Sequence, residues 1–150
     1  MKLTDLLRPE MTFSNVQGLS KKRLLEESAE LIASRIENIN AQELFTALLA
    51  REQLGSTGVG KGIAIPHCRL QSLTEITGCL VKLEQPIDFD AMDGAPVDLL
   101  FFLVVPDTTI KGHLEALKTI AEHLSDPAFC ERLRSTESDA ALYAAATSAP

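Results

Sequence analysis

The chain has 150 residues, 45% of them hydrophobic and 23% charged, and it carries a formal net charge of −7 at pH 7. This composition is typical of one globular domain that is large enough to bury a sizeable core. The negative charge argues against a nucleic-acid-binding protein, because such proteins usually present a basic face.

The sequence predicts neither a membrane span nor a secretory segment. Its longest apolar run, residues 99–105, is too short to cross a bilayer, and residues 1–9 lack the apolar stretch of a signal peptide. The three cysteines, Cys68, Cys79 and Cys130, are odd in number and widely spaced, which predicts free thiols in a reducing compartment. We therefore expect a cytoplasmic protein without membrane insertion.

Two helices are predicted in the first third of the chain. Ser20 is a suitable N-cap for the first helix, and Asn40 begins the second, with Glu43 as a capping-box partner. Gly55 should end the second helix, because glycine tolerates left-handed geometry. Residues at helical spacing in the two segments are Leu24, Leu25, Ser28, Leu31 and Ile32, and Leu44, Phe45, Leu48 and Leu49.

Strands and further helices follow in alternation. Residues 63–65 predict a short strand ended by Pro66, and residues 76–84 a longer one that Pro86 interrupts. Residues 97–105 are apolar on both faces, which predicts a central, buried strand. A helix with one apolar stripe is expected over residues 109–124, then two short helices near 127–134 and 138–146. Helices interleaved with buried strands predict a single α/β domain.

A glycine-rich stretch over residues 51–69 is the most informative part of the sequence. Residues 55–61 match the first seven positions of the nucleotide-binding motif G-x-x-x-x-G-K-[ST], but the eighth position is Gly62, which has no hydroxyl for magnesium. A helix is predicted before the stretch, where that motif requires a strand. Pro66 would also disrupt the helix that must follow. A flexible connector explains the glycines, but not the hydroxyls, cations and histidine beside them.

The histidines offer a different chemistry. His67 follows Pro66, which fixes the backbone before it, and a neutral imidazole is a good nucleophile near pH 7. His113 lies in the first turn of the helix predicted over residues 109–124, where the helix dipole attracts anions and disfavours imidazolium. His123 falls on another helical face and is interpreted as structural. The pattern alone leaves open a paired-histidine site and two unrelated histidines.

Other side chains near His67 also have two interpretations each. Arg51 is either a solvated cation at a helix C-terminus or a guanidinium directed at a phosphoryl group. Ser56 and Thr57 can donate hydroxyls to the same oxygens or simply stabilise a turn. A zinc site is disfavoured, because adjacent His67 and Cys68 are not a usual ligand spacing. We expect no metal.

The segment R-E-Q-L-G-S-T-G-V-G-K-G-I-A-I-P-H, from Arg51 to His67, resembles the phosphorylation-site signature of fructose/mannitol-type EIIA domains of the bacterial phosphotransferase system. The resemblance extends over nearly the whole chain, as one domain covering residues 1–150. It includes S-K-K-R-L from Ser20, P-I-D-F-D-A-M-D-G-A-P-V-D-L-L-F from Pro86 and H-L-E-A-L from His113.

This resemblance implies a mixed, mostly parallel sheet flanked by helices on both faces. It also implies that His67 is the phosphorylated histidine, His113 the second active-site histidine and Arg51 the active-site arginine. A histidine-phosphorylated carrier of the HPr or NPr kind would be the donor, and His67 would attack phosphorus through Nε2. Ser56 and Thr57 would support the phosphoryl group, with no cofactor, nucleotide or metal.

The resemblance further implies an output. Because the chain ends at Pro150 without a fused transporter, we expect a nitrogen-regulatory EIIA, which regulates partners such as potassium-transport proteins and sensor kinases through its phosphorylation state. The alternative is a sugar-specific EIIA subunit that passes phosphate to an EIIB. A binding module that has lost phosphorylation is the third hypothesis.

Overall fold

A computed structural model describes residues 1–18, 20–108 and 110–148. Over these residues the chain forms five α-helices and six strands, preceded by two short 3₁₀ turns, Leu3–Asp5 and Pro9–Met11. The strands are β1 (Thr12–Val16), β2 (Gly58–Gly60), β3 (Ile63–Ala64), β4 (His67–Leu70), β5 (Thr77–Ile87) and β6 (Val97–Pro106). The helices are α1 (Lys21–Arg35), α2 (Ala41–Gln53), α3 (Lys111–Leu124), α4 (Pro127–Arg134) and α5 (Asp139–Thr147).

The six strands form one mixed sheet in the order β1-β5-β6-β3-β2, with β4 also paired to β6. Strands β1 and β5, β3 and β6, and β4 and β6 are parallel, whereas β5 and β6, and β2 and β3, are antiparallel. Strand β6 is central, and its residues 99–105 are almost completely buried. These findings confirm the predicted mixed, mostly parallel sheet around a buried central strand.

Helices flank this sheet. Leu80 of β5 and Phe101 of β6 line an apolar pocket with residues of the last three helices, Leu124, Phe129, Leu133 and Ala146. Neighbouring β5 and β6 residues of opposite orientation, such as Val81 and Leu100, are also fully buried. Helices α1 and α2 pack together, and α2 packs on β4. The predicted α/β fold is thus confirmed, and no helix among the described residues could cross a membrane.

Local capping explains why the predicted helices form where they do. The Ser20 side chain accepts a hydrogen bond from the Arg23 backbone N–H, and the Asn40 side chain accepts one from the Glu43 N–H. Helix α2 ends at Gln53, two residues before Gly55. The expected start of the third helix at Thr109 lies outside the described residues, and the described helix begins at Lys111.

The strands differ more from prediction than the helices. Strands β1, β2 and β4 were not predicted, and β5 continues through Pro86 to Ile87 instead of stopping at Glu84. The β5–β6 register shifts between Lys82 and Ile87. Because proline lacks an amide donor, it is tolerated in a strand at such an irregularity.

Candidate functional site

The position of His67 follows from how the chain crosses the sheet. Strands β3 and β4 both pair with β6, and Pro66 lies between them, where its carbonyl accepts a hydrogen bond of 2.9 Å from the Leu103 N–H. His67 is the first residue of β4, opposite Leu103, and its ring is only half-buried. Pro66 therefore separates β3 from β4 and places His67 at the start of β4.

Both ring nitrogens of His67 have partners. The Nε–H of Arg51 donates to His67 Nε2 at 3.3 Å. Because Nε2 accepts this bond, the ring proton belongs on Nδ1, which lies 2.8 Å from the Ile65 carbonyl oxygen and donates to it. The lone pair of the ring is thus on Nε2, the nitrogen that the family resemblance makes the nucleophile.

The two predicted site histidines lie together. His113 is the third residue of α3, and its ring centroid is 5.7 Å from that of His67, with an interplanar angle of 63°. His113 Nε2 is a buried nitrogen without a hydrogen-bond partner among the described residues. A buried ring nitrogen without a hydrogen-bond partner is unusual, because most buried polar atoms are hydrogen-bonded.

Both histidines favour the neutral form. Burial lowers the pKa of His67 from its ordinary value of 6.5, and the Arg51 charge lowers it further, against opposing effects of the Ile65 hydrogen bond and the Glu52 charge. Burial also lowers the pKa of His113, with the charges of Arg69 and His67 acting in the same direction. At neutral pH both imidazoles are therefore uncharged, with Arg51 acting on His67 and Arg69 on His113.

Arg51 joins the histidine to the glycine-rich stretch. It lies in the last turn of α2, and besides its bond to His67 it donates from Nη1 to the Gly55 carbonyl oxygen at 2.9 Å. The guanidinium is thus held in one orientation. Arg51 is therefore not a freely solvated cation, and its predicted role toward a phosphoryl group stays a prediction.

The glycine-rich stretch forms a β-hairpin, which differs from a nucleotide-binding loop. Helix α2 leads into the hairpin strands β2 and β3, whereas a nucleotide-binding loop leads from a strand into a helix. At its turn Lys61 and Gly62 have φ values of 58° and 82°. Nothing in this geometry provides the helix N-terminus on which a P-loop binds phosphates.

The hydroxyls of Ser56 and Thr57 already have partners. Ser56 Oγ donates to the Phe89 carbonyl oxygen at 2.9 Å and accepts from the Gly58 N–H at 3.0 Å. Thr57 is buried, and its hydroxyl and backbone N–H both donate to the Glu52 carboxylate. Either hydroxyl would have to give up its present acceptor to donate to a phosphoryl group.

Glu52 is the residue that the sequence analysis missed. Its side chain is only 2% exposed and lies 2.7 Å from the Lys21 Nζ. A signal was present, since Phe45, Leu48 and Glu52 are spaced at three and four residues, on the apolar face of α2. A carboxylate on such a face predicts a buried, paired charge.

The remaining chemically reactive side chains have ordinary environments. Burial raises the pKa of the Cys68 thiol to about 12, and all three cysteines are buried and free. His123 packs its ring on Phe129, with 5.5 Å between centroids. Among the described residues, no group of three or more histidine, cysteine or acidic side chains is placed to hold a metal ion.

Comparison with known proteins identifies the family. Residues 5–148 match the family model described as phosphoenolpyruvate-dependent sugar phosphotransferase system, EIIA 2. A nitrogen regulatory protein of Pseudomonas aeruginosa is 48% identical over 143 residues, which are 95% of this chain and 93% of that protein. One of Klebsiella oxytoca is 47% identical over 150 residues, covering 99% of this chain and 92% of the relative.

Solved structures agree with the sequence comparison. The crystal structure of the nitrogen regulatory protein IIA-Ntr from Neisseria meningitidis superposes with a TM-score of 0.89 at 36% identity. The superposition covers 97% of this chain and 99% of that one. The chain therefore belongs to the EIIA 2 family of the phosphoenolpyruvate-dependent sugar phosphotransferase system, a family of phosphoryl carriers.

Proposed function

We propose that this protein is a nitrogen-regulatory EIIA whose His67 accepts a phosphoryl group from a histidine-phosphorylated carrier protein of the HPr or NPr kind. The main support for the proposal is that hydrogen bonds hold the His67 ring at both nitrogens. Nδ1–H donates to the Ile65 carbonyl, and Nε2 accepts from Arg51. This pairing leaves the nucleophilic lone pair on Nε2 of a half-buried residue.

The transfer step needs neither a nucleotide nor a metal. His67 Nε2 attacks phosphorus in line, the new N–P bond forms and the N–P bond of the donor breaks. The electrons of that bond return to the donor ring, which leaves as neutral imidazole if its other nitrogen is protonated. His67 becomes a phosphorylated ring that keeps its Nδ1 proton on the Ile65 carbonyl. Such transfer depends mainly on positioning and charge stabilisation.

Arg51 and His113 provide that stabilisation in the proposal. Once Nε2 is phosphorylated it can no longer accept from Arg51, so the guanidinium turns to the phosphoryl oxygens, which it can bind bidentately. His113 is half-buried, and its Nε2 has no hydrogen-bond partner among the described residues. In the tautomer that carries a proton on Nε2, this ring can donate a hydrogen bond to a phosphoryl oxygen. Ser56 and Thr57 have supporting roles in the local backbone.

The carrier would dock on the surface around His67. Exposed apolar side chains adjoin the site residues along the chain: Leu54 beside Gly55, Val59 within the hairpin and Leu114 beside His113, with exposures of 85%, 62% and 66%. Because contiguous exposed apolar groups mark protein–protein contact surfaces, we propose that these three side chains contribute to the docking surface of the carrier.

The regulatory output is favoured by the relatives. Proteins nearly half identical over almost the whole chain are named nitrogen regulatory proteins, which supports regulation over sugar uptake. Phosphorylation of a hydroxyl residue adds about −1.5 to −2 charge, and we expect phosphohistidine to make this chain, with its net charge of −7, more negative in a comparable way. We propose that this change controls binding to cytoplasmic partners, such as potassium-transport proteins or sensor kinases.

Phosphorylation in a reconstituted system tests the proposal. Incubation with phosphoenolpyruvate, the first enzyme of the system and a histidine carrier should give an acid-labile phosphoprotein. His67→Ala should abolish labelling, while His123→Gln, a change outside the site, should label like wild type. Labelling of His67→Ala would refute the site assignment. Rapid passage of the phosphoryl group to an EIIB protein would support the sugar-specific alternative.

A further inference from the structure

The buried carboxylate of Glu52 is hydrogen-bonded to the glycine-rich stretch. Its oxygens accept the Thr57 backbone N–H at 3.1 and 3.2 Å and also the Thr57 hydroxyl. Thr57 is itself only 4% exposed. Both donors of one buried residue are therefore directed at one buried carboxylate.

This contact continues to the ring of His67. The Thr57 carbonyl accepts the Ile65 N–H at 3.0 Å across the hairpin, and the Ile65 carbonyl accepts the Nδ1–H of His67 at 2.8 Å. Glu52, Thr57, Ile65 and His67 thus form a continuous hydrogen-bonded path. The path ends on the ring nitrogen opposite the one that Arg51 contacts.

Lys21 compensates the buried charge from the first turn of α1. Its Nζ lies 2.7 Å from Glu52 and 3.9 Å from Asp90, and it also lies 4.6 Å from the ring centroid of Phe89. Replacing a buried ion pair with apolar side chains is often neutral or stabilising. Stability alone is therefore a weak reason for a charge at this position.

We propose that Glu52 is a positioning residue for His67, acting through Thr57 and Ile65; this inference rests on the proposed phosphoryl transfer. Two consecutive residues of α2 then fix the two nitrogens of one imidazole. Arg51 contacts Nε2 directly, and Glu52 holds the backbone carbonyl that receives Nδ1–H. The path keeps one tautomer and one ring orientation, so that the Nε2 lone pair stays available for attack.

A matched pair of double variants separates this role from charge compensation. Lys21→Met/Glu52→Gln and Lys21→Met/Glu52→Leu both remove the ion pair, but only the first keeps an oxygen acceptor for Thr57. We expect the Gln variant to transfer phosphate at nearly the wild-type rate. The Leu variant should lose about 10–100-fold in the single-turnover rate at saturating carrier, because small misplacements of reacting groups have effects of this size. The half-saturating carrier concentration should not change.

Two controls protect this comparison. Leu142→Ala removes a fully buried side chain in α5, away from the path, and should destabilise the protein without slowing transfer. Nitrogen-15 NMR of His67 gives a readout that needs no phosphorylation. Wild type and the Gln variant should show the Nδ1–H tautomer, and the Leu variant a mixture of tautomers.

The outcomes distinguish this inference from the proposed function. If wild type accepts no phosphoryl group, the proposed function fails, while NMR still tests the path to His67. Equal rates and equal tautomer populations in the two double variants would overturn the positioning role. Equal slowing in both would assign the effect to charge and would overturn it as well.

Discussion

The crowding around Gly62 allows us to predict how much a side chain at this turn would lower the free energy of unfolding. A Cβ at this position would lie 2.7 Å from Arg134 Nη2 and 3.0 Å from Asp98 Oδ1, and φ is +82°. Arg134 binds both oxygens of Asp98 and also donates to the Lys61 carbonyl at 2.9 Å. Gly62→Ala must therefore adopt a left-handed conformation and also displace this guanidinium.

The expected cost has two parts. The left-handed backbone costs about 1–2 kcal/mol for a residue with a Cβ. Displacing Arg134 from Asp98 and Lys61 costs about 1–2 kcal/mol more, a low value because the ion pair is partly solvent-exposed. We expect Gly62→Ala to lose roughly 2–4 kcal/mol of the free energy of unfolding.

Gly94 provides the matched control. Its φ is +72°, but a Cβ there would meet nothing within 4 Å, so Gly94→Ala should lose only about 1–2 kcal/mol. Urea denaturation of both variants measures the difference, with unchanged m-values confirming that midpoints report stability. Equal losses in the two variants would refute the argument that Arg134 restrains this turn.

Three further predictions concern Gly62, Arg51 and the titrating groups. Gly62→Ser completes the nucleotide-binding motif, yet calorimetry should detect no Mg-ATP binding, because the order helix-hairpin-strand is unchanged; micromolar binding would contradict this. Arg51→Lys should slow phosphoryl acceptance about 10–100-fold, because lysine lacks the planar guanidinium with its paired donors. A wild-type rate would show that the guanidinium is not needed. Burial lowers the folded-state pKa of His67 and His113, so between that value and 6.5 the unfolded chain binds more protons. The stability that depends on these two groups is complete above pH about 6.5 and is lost as pH falls through the folded-state pKa. The double variant His67→Gln/His113→Gln should therefore show a smaller decline of the urea midpoint with falling pH. The same decline as in wild type would contradict the lowered pKa values.

The parts of the fold that the sequence predicted are those with local signals. Ser20 and Asn40 mark helix starts because capping is decided within three residues. Strand β6 is recognisable because it is apolar on both faces. Strand β4, by contrast, has four residues and includes exposed Arg69, and it is a strand because β6 provides its hydrogen bonds. That pairing is not encoded within the segment.

In the candidate site, too, some features follow from local sequence and others depend on contacts between distant segments. His67, His113 and Arg51 were identified from sequence, and the structure brings them together. The distance between the two imidazoles, however, depends on where α3 starts relative to β6, which no local pattern specifies. The tautomer of His67 likewise depends on Ile65 and Arg51 at once. Glu52 is harder to identify, because its only signal is the position of one charge on the apolar face of α2.

Under the proposed function, Arg51 meets two opposing requirements of a histidine that accepts a phosphoryl group. The free ring must be neutral to attack, and the guanidinium helps here, because its charge lowers the pKa of His67 in the same direction as burial. After transfer, the phosphoryl group on His67 would carry about two negative charges, which partial burial without a counter-charge would destabilise. The same guanidinium then becomes a counter-ion at hydrogen-bonding distance. The same cation would therefore disfavour protonation of His67 before transfer and pair with the phosphoryl group after it, while its bond to the Gly55 carbonyl keeps it beside the ring.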